Sequence, residues 1–281
     1  MTNYLDIRTL SLASGIIYLF LSISMIYISA NQKTFKGFNQ WTVASLFNFS
    51  GLVLISSRNT LPDFFTIVMA NGLMFSFIAL ITSGLVSFVG RKPRIRLYIT
   101  LLGILFLAII FFTYVYPSVK ARIVIFSGLF AYLSLYNAVF CYQKIPMLLQ
   151  QKNWFLFWVF LIPGLWWAFR ALYTLLIETV ILDLMQASIV QGLTFLIGIG
   201  SAITLYMGLA ILNSQRLKRE LQKALEEVKT LRGIIPICTS CKKIRDDRGY
   251  WNQLESYVRA HSEAEFTHSL CPECQAKLYP K

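Results

Sequence analysis

From Leu97 to Pro117 the chain runs for 21 residues without an Asp, Glu, Lys, Arg or His. A stretch that long exceeds the roughly 18 residues at which an apolar run reads as a membrane-spanning helix. It is not alone. Apolar segments at 9–30, 40–57, 62–90, 97–117, 121–143, 153–178 and 184–213 can each be drawn as one. Backbone that crosses hydrocarbon must satisfy its own hydrogen bonds, and these segments lack the alternation of a barrel strand, so all seven read as helices. The first is too long for a cleavable leader, lacks a small-residue cleavage site, and is taken as a genuine span.

Composition agrees with this reading. The chain is 56% hydrophobic and 14% charged, against about 25% charged in soluble domains. A soluble enzyme core, a secreted disulfide scaffold and a disordered tail are thereby excluded. The net charge of +13 resembles a nucleic-acid footprint until it is located. Residues 1–213 carry 13 basic and 4 acidic side chains, 214–232 carry 6 and 3, and 233–281 carry 7 and 6. The excess therefore belongs to the membrane part and the segment after it, where loop cations set orientation, and no nucleic-acid partner is expected. Lys33, Lys36, Arg91, Lys92, Arg94, Arg96, Lys144 and Lys152 fall on one side of the seven spans, and Arg8, Arg58, Lys120 and Arg122 on the other. This asymmetry makes the first side cytoplasmic, with the N-terminus outside and the C-terminus inside.

Inside the spans, Arg170 is the side chain most in need of a partner, because an intramembrane arginine costs about 2.5–3.5 kcal/mol on insertion scales. It either snorkels toward the outer interface or faces the bundle interior, there serving ligand sensing or bundle stability. Glu178 lies two helical turns further on. Asn48, Asn71, Asn137 and Gln191 read first as bonds between helices, and together they allow a small polar pocket. Trp41, Tyr114, Tyr116, Trp154 and Trp158 read as interfacial anchors. Gly198 and Gly200, with Ser201, are expected to let helices approach closely, and Cys141 to be a small buried apolar residue.

After Asn213 the composition changes. Leu217, Leu221, Ala224, Val228 and Leu231 recur at spacings of four and three, a heptad seam just over two repeats long. As a continuation of the seventh span it suits a parallel homodimer, and Arg216, Lys218 and Arg219 also suit an anionic lipid surface. Gly233 and Pro236 end this stalk.

The last segment, 233–281, holds two Cys-x-x-Cys pairs, Cys238/Cys241 and Cys271/Cys274. Two such turns supply four thiolates, which close a tetrahedral zinc shell and leave no position for a catalytic water. So small a segment needs the folding free energy that metal provides. A helix over NQLESYVRAHS is expected between the pairs, with Trp251, Leu254, Val258 and His261 on one face. His261 and His268 are expected to pack beside the site and support its ligands, or to replace a cysteine as ligand. A thiol–disulfide switch is the other reading of the same cysteines.

The tract LRGIIPICTSCKKIRDDRGYWNQLESYVRAHSEAEFTHSLCPECQAKLYP resembles a short C-terminal cysteine module of bacterial signalling proteins, found there after a helical linker. The resemblance implies metal ligation by Cys238, Cys241, Cys271 and Cys274. The first 213 residues, through SSRNTLPDFFTIVMANGLMFSFIALITSGLVSFVGRK, more loosely resemble the multi-helix sensor region that precedes GGDEF diguanylate cyclase domains. That resemblance implies an input role. No GGDEF segment, kinase histidine box or P-loop occurs in the sequence, so no enzymatic output is expected.

The chain is therefore expected to be an all-α polytopic membrane protein with seven transmembrane helices (1–213), a helical or coiled-coil stalk (214–232) and a small zinc-binding α+β module (233–281). The expected role is bacterial inner-membrane signal transduction, relayed through the stalk to a cytoplasmic signalling partner. A small-solute transporter or channel with a regulatory zinc tail is the alternative.

Overall fold

The computed structural model describes residues 7–150, 154–178, 189–230, 236–246, 249–261 and 265–279. They fall into two compact units, Met1–Arg219 and Glu220–Lys281.

Each apolar run becomes a helix: α1 (Ile7–Asn31), α2 (Phe38–Ser56), α3 (Phe64–Phe88), α4 (Ile95–Val115), α5 (Val119–Leu149), α6 (Phe155–Leu176) and α7 (Ile189–Thr230), the last of which starts in the first unit and ends in the second. Among the described residues, six of these are long and apolar enough to cross a membrane. The exception is α2, whose 19 residues include Asn39, Gln40, Ser45, Asn48 and Ser50. It packs between α1 and α3, and Phe38, Trp41 and Ala44 are fully buried.

Two helices depart from α geometry at one end. α3 opens with a π-helical turn, Phe64–Met69, and α4 closes with another, Phe111–Val115. At the start of α5 the Ser118 hydroxyl accepts the Ala121 N–H at 3.2 Å and so caps a donor that has no partner within the helix. α5 also continues through Pro146 to Leu149, beyond the segment end expected from hydropathy.

Burial separates the helices into inner and outer ones. Half of the most apolar window of α3 and of α5 is buried, against 11% for α4, which places α4 at the periphery with its side chains facing outward. Trp154, Trp158, Tyr114 and Tyr116 are exposed near helix ends, as membrane-interface aromatics are. Trp41 is not an interfacial anchor. It is fully buried, its ring 5.2 Å from that of Phe88, because Gly84 leaves no side chain in the way. Cys141 is buried as a small apolar residue.

The same end of the unit carries a polar latch. Asn213 of α7 donates to the Lys33 carbonyl at 3.2 Å and accepts the Phe35 N–H at 3.3 Å. Arg216 donates to the Phe88 carbonyl and lies over the rings of Phe35 and Phe88, at 4.2 and 5.0 Å. The α1–α2 connection, the end of α3 and the middle of α7 thus meet at the end of the bundle that bears Lys33, Lys36, Arg91 and Lys92.

Within the second unit, β1 (Ile244–Arg245) pairs antiparallel with β2 (Trp251–Asn252), Ile244 facing Asn252 and Arg245 facing Trp251. Asp246 shapes the turn: its side chain accepts the Tyr250 N–H at 2.9 Å and the Asn252 amide at 2.8 Å, while Gly249 takes φ 87°. α8 (Leu254–His261) and α9 (Pro272–Leu278) follow. Trp251 therefore belongs to the hairpin and not to the helix in which periodicity put it. Asp246, by closing the turn, draws the chain into strand pairing before the helix begins.

Candidate functional site

The membrane unit holds a partly open cavity of about 170 Å³ between α1, α2, α3, α5, α6 and α7. Its lining along α7 extends from Gln191 to Leu205, about 21 Å at 1.5 Å per residue. A cavity of that volume drawn out over that length is narrow. One end carries Arg58, Arg122, Arg170, Gln191 and Thr194; the other is walled by Phe77, Phe130, Phe160 and Leu205. Among the described residues the lining contains no Asp or Glu.

Arg170 organises the polar end. It is 5% exposed, so it does not snorkel to the interface. Its guanidinium donates to Thr194 Oγ1 and Gln191 Oε1, two residues one helical turn apart on α7, and lies 5.9 Å from the Trp167 ring centre. The Trp166 indole N–H donates to the same Thr194 hydroxyl at 3.2 Å, and that hydroxyl donates to the Val190 carbonyl at 2.7 Å. Its two hydrogen-bond acceptors are neutral, and the Glu178 carboxylate acts on it through its charge. Glu178 is held one turn along α6, where it accepts the Thr174 hydroxyl at 2.8 Å.

Of the polar residues singled out from the sequence, Arg170, Asn71 and Gln191 come together on this cavity, and Asn48 lines it as well. Asn137 does not. It donates to Thr82 at 3.0 Å and ties α5 to α3 away from the lining, which is the interhelical role expected of such a residue. Sequence reasoning missed Arg58 and Arg122. Both lie beside span ends and read as loop charges, yet Arg58 is only 8% exposed, and the Arg122 side chain turns back to donate to Thr113 at 3.3 Å. Ser127 was also missed; its hydroxyl is buried on the cavity wall and has no hydrogen-bond partner among the described residues.

The expected close packing at Gly198 and Gly200 is absent. Among the described residues, a Cβ at either position meets nothing within 4 Å. Gly198 lines the cavity, so its missing side chain leaves that space open, and Gly200 faces outward. Close approach falls elsewhere, at Gly164 against Leu135 and at Gly208 against Leu156 and Phe155.

In the second unit each Cys-x-x-Cys pair forms a local turn. The backbone of Cys238 donates to the Lys243 carbonyl at 2.8 Å, and Lys242 donates back to the Cys238 carbonyl at 3.0 Å with φ 58°. Backbone N–H groups of Cys241 and Ser240, together with the Cys241 thiol, hold the Cys238 thiol below its ordinary range. The second pair opens α9, where the Cys274 backbone and thiol and the Glu273 backbone act in the same way on Cys271. Backbone donors aimed at a sulfur favour its thiolate, the form that ligates metal. Among the described residues no three His, Cys, Asp or Glu side chains are gathered around a common point. Each pair is a local two-sulfur turn. Cys241 and His268 border one pocket together with Arg259. His261 ends α8, and its side chain lies outside the described residues, as do the 184–188 part of the expected seventh span, Leu231 and Gly233.

Comparison with protein-family models, with curated proteins and with solved structures finds no match.

Proposed function

We propose that this protein is a membrane receptor, a sensor that reads occupancy of the bundle cavity and relays it through α7 to the cysteine module. The observation that carries this reading is the continuity of α7. Its residues from Gln191 to Leu205 line the cavity, and the same helix runs unbroken to Thr230. A ligand that shifts Gln191 or Thr194 acts on one continuous helix of 42 residues, about 63 Å long. Displacement or rotation at one end is felt at the other, provided the helix has two packed positions.

In this reading all seven helices cross a bacterial inner membrane, with α2 shielded between its neighbours. The bundle end with Lys33, Lys36, Arg91 and Lys92, where Asn213 and Arg216 dock, faces the cytoplasm by the positive-inside rule. The stalk pairs with that of a second copy. Leu221 and Ala224 of that seam are exposed in the single chain, Leu221 at 60%, which supports a seam awaiting a partner.

The cysteine module binds one zinc through Cys238, Cys241, Cys271 and Cys274, the two turns each giving two sulfurs to a tetrahedral shell. Its role is to dock a cytoplasmic signalling protein. A closed four-sulfur shell supplies fold rather than chemistry, so the chain acts without an enzymatic output of its own.

The test is a photo-cross-linking residue at Leu221 in the full chain in native membranes, compared with the same probe in a Gly198→Leu background, where the added side chain occupies the cavity. The expected result is a covalent dimer whose yield changes at least twofold when the cavity is filled. A dimer yield indifferent to Gly198→Leu refutes the coupling, and the absence of any dimer refutes the paired stalk.

A further inference from the structure

We infer that the bundle cavity binds a small neutral molecule, with an apolar body about the size of one ring and a single hydroxyl or carbonyl group that pairs with Ser127. The inference rests on the receptor reading for its purpose, though not for its chemistry.

Ser14, Ser127, Ser134, Thr194 and Ser201 all line the cavity. A serine or threonine inside a helix can satisfy its hydroxyl on the carbonyl one turn back. Ser14, Thr194 and Ser201 do so, donating to the carbonyls of Leu10, Val190 and Ile197 at 2.7, 2.7 and 2.6 Å. Ser134 reaches across to α6 and donates to the Phe160 carbonyl at 2.9 Å. Ser127 does neither. It is fully buried, and among the described residues its hydroxyl has no hydrogen-bond partner. Leaving a buried polar group unpaired costs more than a paired one gains. An occupant that brings an acceptor to this point of the wall is therefore favoured over an empty space and over a purely apolar occupant.

The surroundings of Ser127 set the rest of the ligand. Phe126 precedes it in the chain and Phe130 follows about one turn later. Both rings pack with that of Trp167 on α6, their centres 5.7 and 4.9 Å away, and all three line the cavity. Phe77 of α3 extends this wall, 6.3 Å from Phe130. Aromatic walls suit an apolar body, a ring above all, through edge and offset contacts. For comparison, an apolar cavity of about 150 Å³ accommodates benzene, so a volume of about 170 Å³ takes one ring with a short substituent, not a lipid with two acyl chains. The arginines at the polar end already interact with the protein's own groups, so the ligand needs no charge to pair with them. Gly198 keeps the α7 side of the space open.

The test is a fluorine NMR titration of the full chain in lipid nanodiscs, with empty discs subtracted to remove partitioning into lipid. Three probes share one ring: para-fluorobenzyl alcohol, para-fluorotoluene, which lacks the hydroxyl, and para-fluorobenzoate, which carries a charge in its place. The alcohol is expected to bind saturably, and at least tenfold more tightly than the benzoate. Ser127→Ala should weaken the alcohol at least threefold, about what one hydrogen bond is worth, while the toluene binds this variant no more weakly than the native chain. Gly198→Leu should abolish saturable binding of both. A cavity that holds only water shows no saturable binding of the alcohol, and the proposal then falls. It falls equally if Ser127→Ala leaves the alcohol unchanged or weakens the toluene as much, if the benzoate binds more tightly than the alcohol, or if Gly198→Leu binds normally. Should Gly198→Leu fail to fold, Ser127→Ala, which removes one oxygen atom and no described hydrogen bond, still decides. The Leu221 cross-link responds to Gly198→Leu without any added ligand, so failure of the ligand class and failure of the receptor reading are distinguishable.

Discussion

Glycines in this bundle do opposite jobs depending on what faces them. At Gly84 an added Cβ would come 2.2 Å from the Trp41 indole nitrogen and 2.9 Å from the Gly37 carbonyl oxygen, one contact with a fully buried ring and the other with backbone. Neither can yield cheaply. Gly37 itself has φ 101°, and its own Cβ would meet the Gly84 carbonyl at 2.2 Å, so the two glycines form one close crossing. Gly84→Ala should therefore destabilise the protein by about 1–3 kcal/mol, the usual cost of overpacking. Gly200→Ala, exposed and with open space around it, should be neutral or stabilising by up to about 1 kcal/mol from helix propensity. Thermal unfolding of the two variants in detergent checks this: a lowered midpoint for Gly84→Ala alone is the expected outcome, and equal midpoints would show that the Trp41 crossing does not constrain the fold.

Among the elements, α7 has the most varied surroundings. Its first turns bond to Arg170, its middle docks through Asn213 and Arg216, and Leu221 to Leu225 are exposed. The latch at Arg216 combines a charged hydrogen bond to a helix-end carbonyl with two cation–π contacts, worth about 0.5–2 kcal/mol together in a partly desolvated setting. That carbonyl, Phe88, closes α3, where carbonyls lack intrahelical partners and a cation is favoured. Arg216→Ala should loosen this junction without unfolding the bundle. Amide hydrogen exchange across 212–218 is expected to accelerate about tenfold, with exchange in α5 unchanged; unaltered exchange at 212–218 would mean that Asn213 alone holds α7. α4 is the contrasting element, apolar on nearly every face with 11% of its window buried, which is what a helix bordering lipid shows.

For the whole molecule, the deciding question is what completes the cysteine module. Ile244 is fully buried there, whereas Cys241, Cys271 and Cys274 are exposed. So little buried apolar surface does not sustain a fold alone, and in the proposed zinc reading a metal supplies the difference. The purified full chain should carry about one zinc, and the double variant Cys238→Ser with Cys241→Ser should carry almost none, with loss of protection in β1 and β2. Metal-free protein whose thiols oxidise and recover reversibly would replace the zinc proposal with a redox switch.

Much of this protein is written in local chemistry. Charge-free runs such as 97–117 impose helices because the backbone in hydrocarbon has no other donors or acceptors, and the Cys-x-x-Cys spacing imposes two-sulfur turns through hydrogen bonds a few residues apart. Those features need no distant contact, so the helices, their approximate limits and the cysteine pairs are readable from order alone. Periodicity failed where a nearby side chain intervened, as Asp246 did in drawing Trp251 into a hairpin. What the tertiary structure decided is which polar residues share a space. Arg58 and Arg122 look like loop charges until the folded bundle puts them on the same cavity lining as Arg170 and Gln191, and Asn137 looks like their companion until it is found bonded to Thr82. Gly198 and Gly200, only two residues apart, part company because a helix turns about 100° per residue, one toward the cavity and the other away from it. A cavity is the space that several helices leave between them, and no single stretch of sequence encodes it.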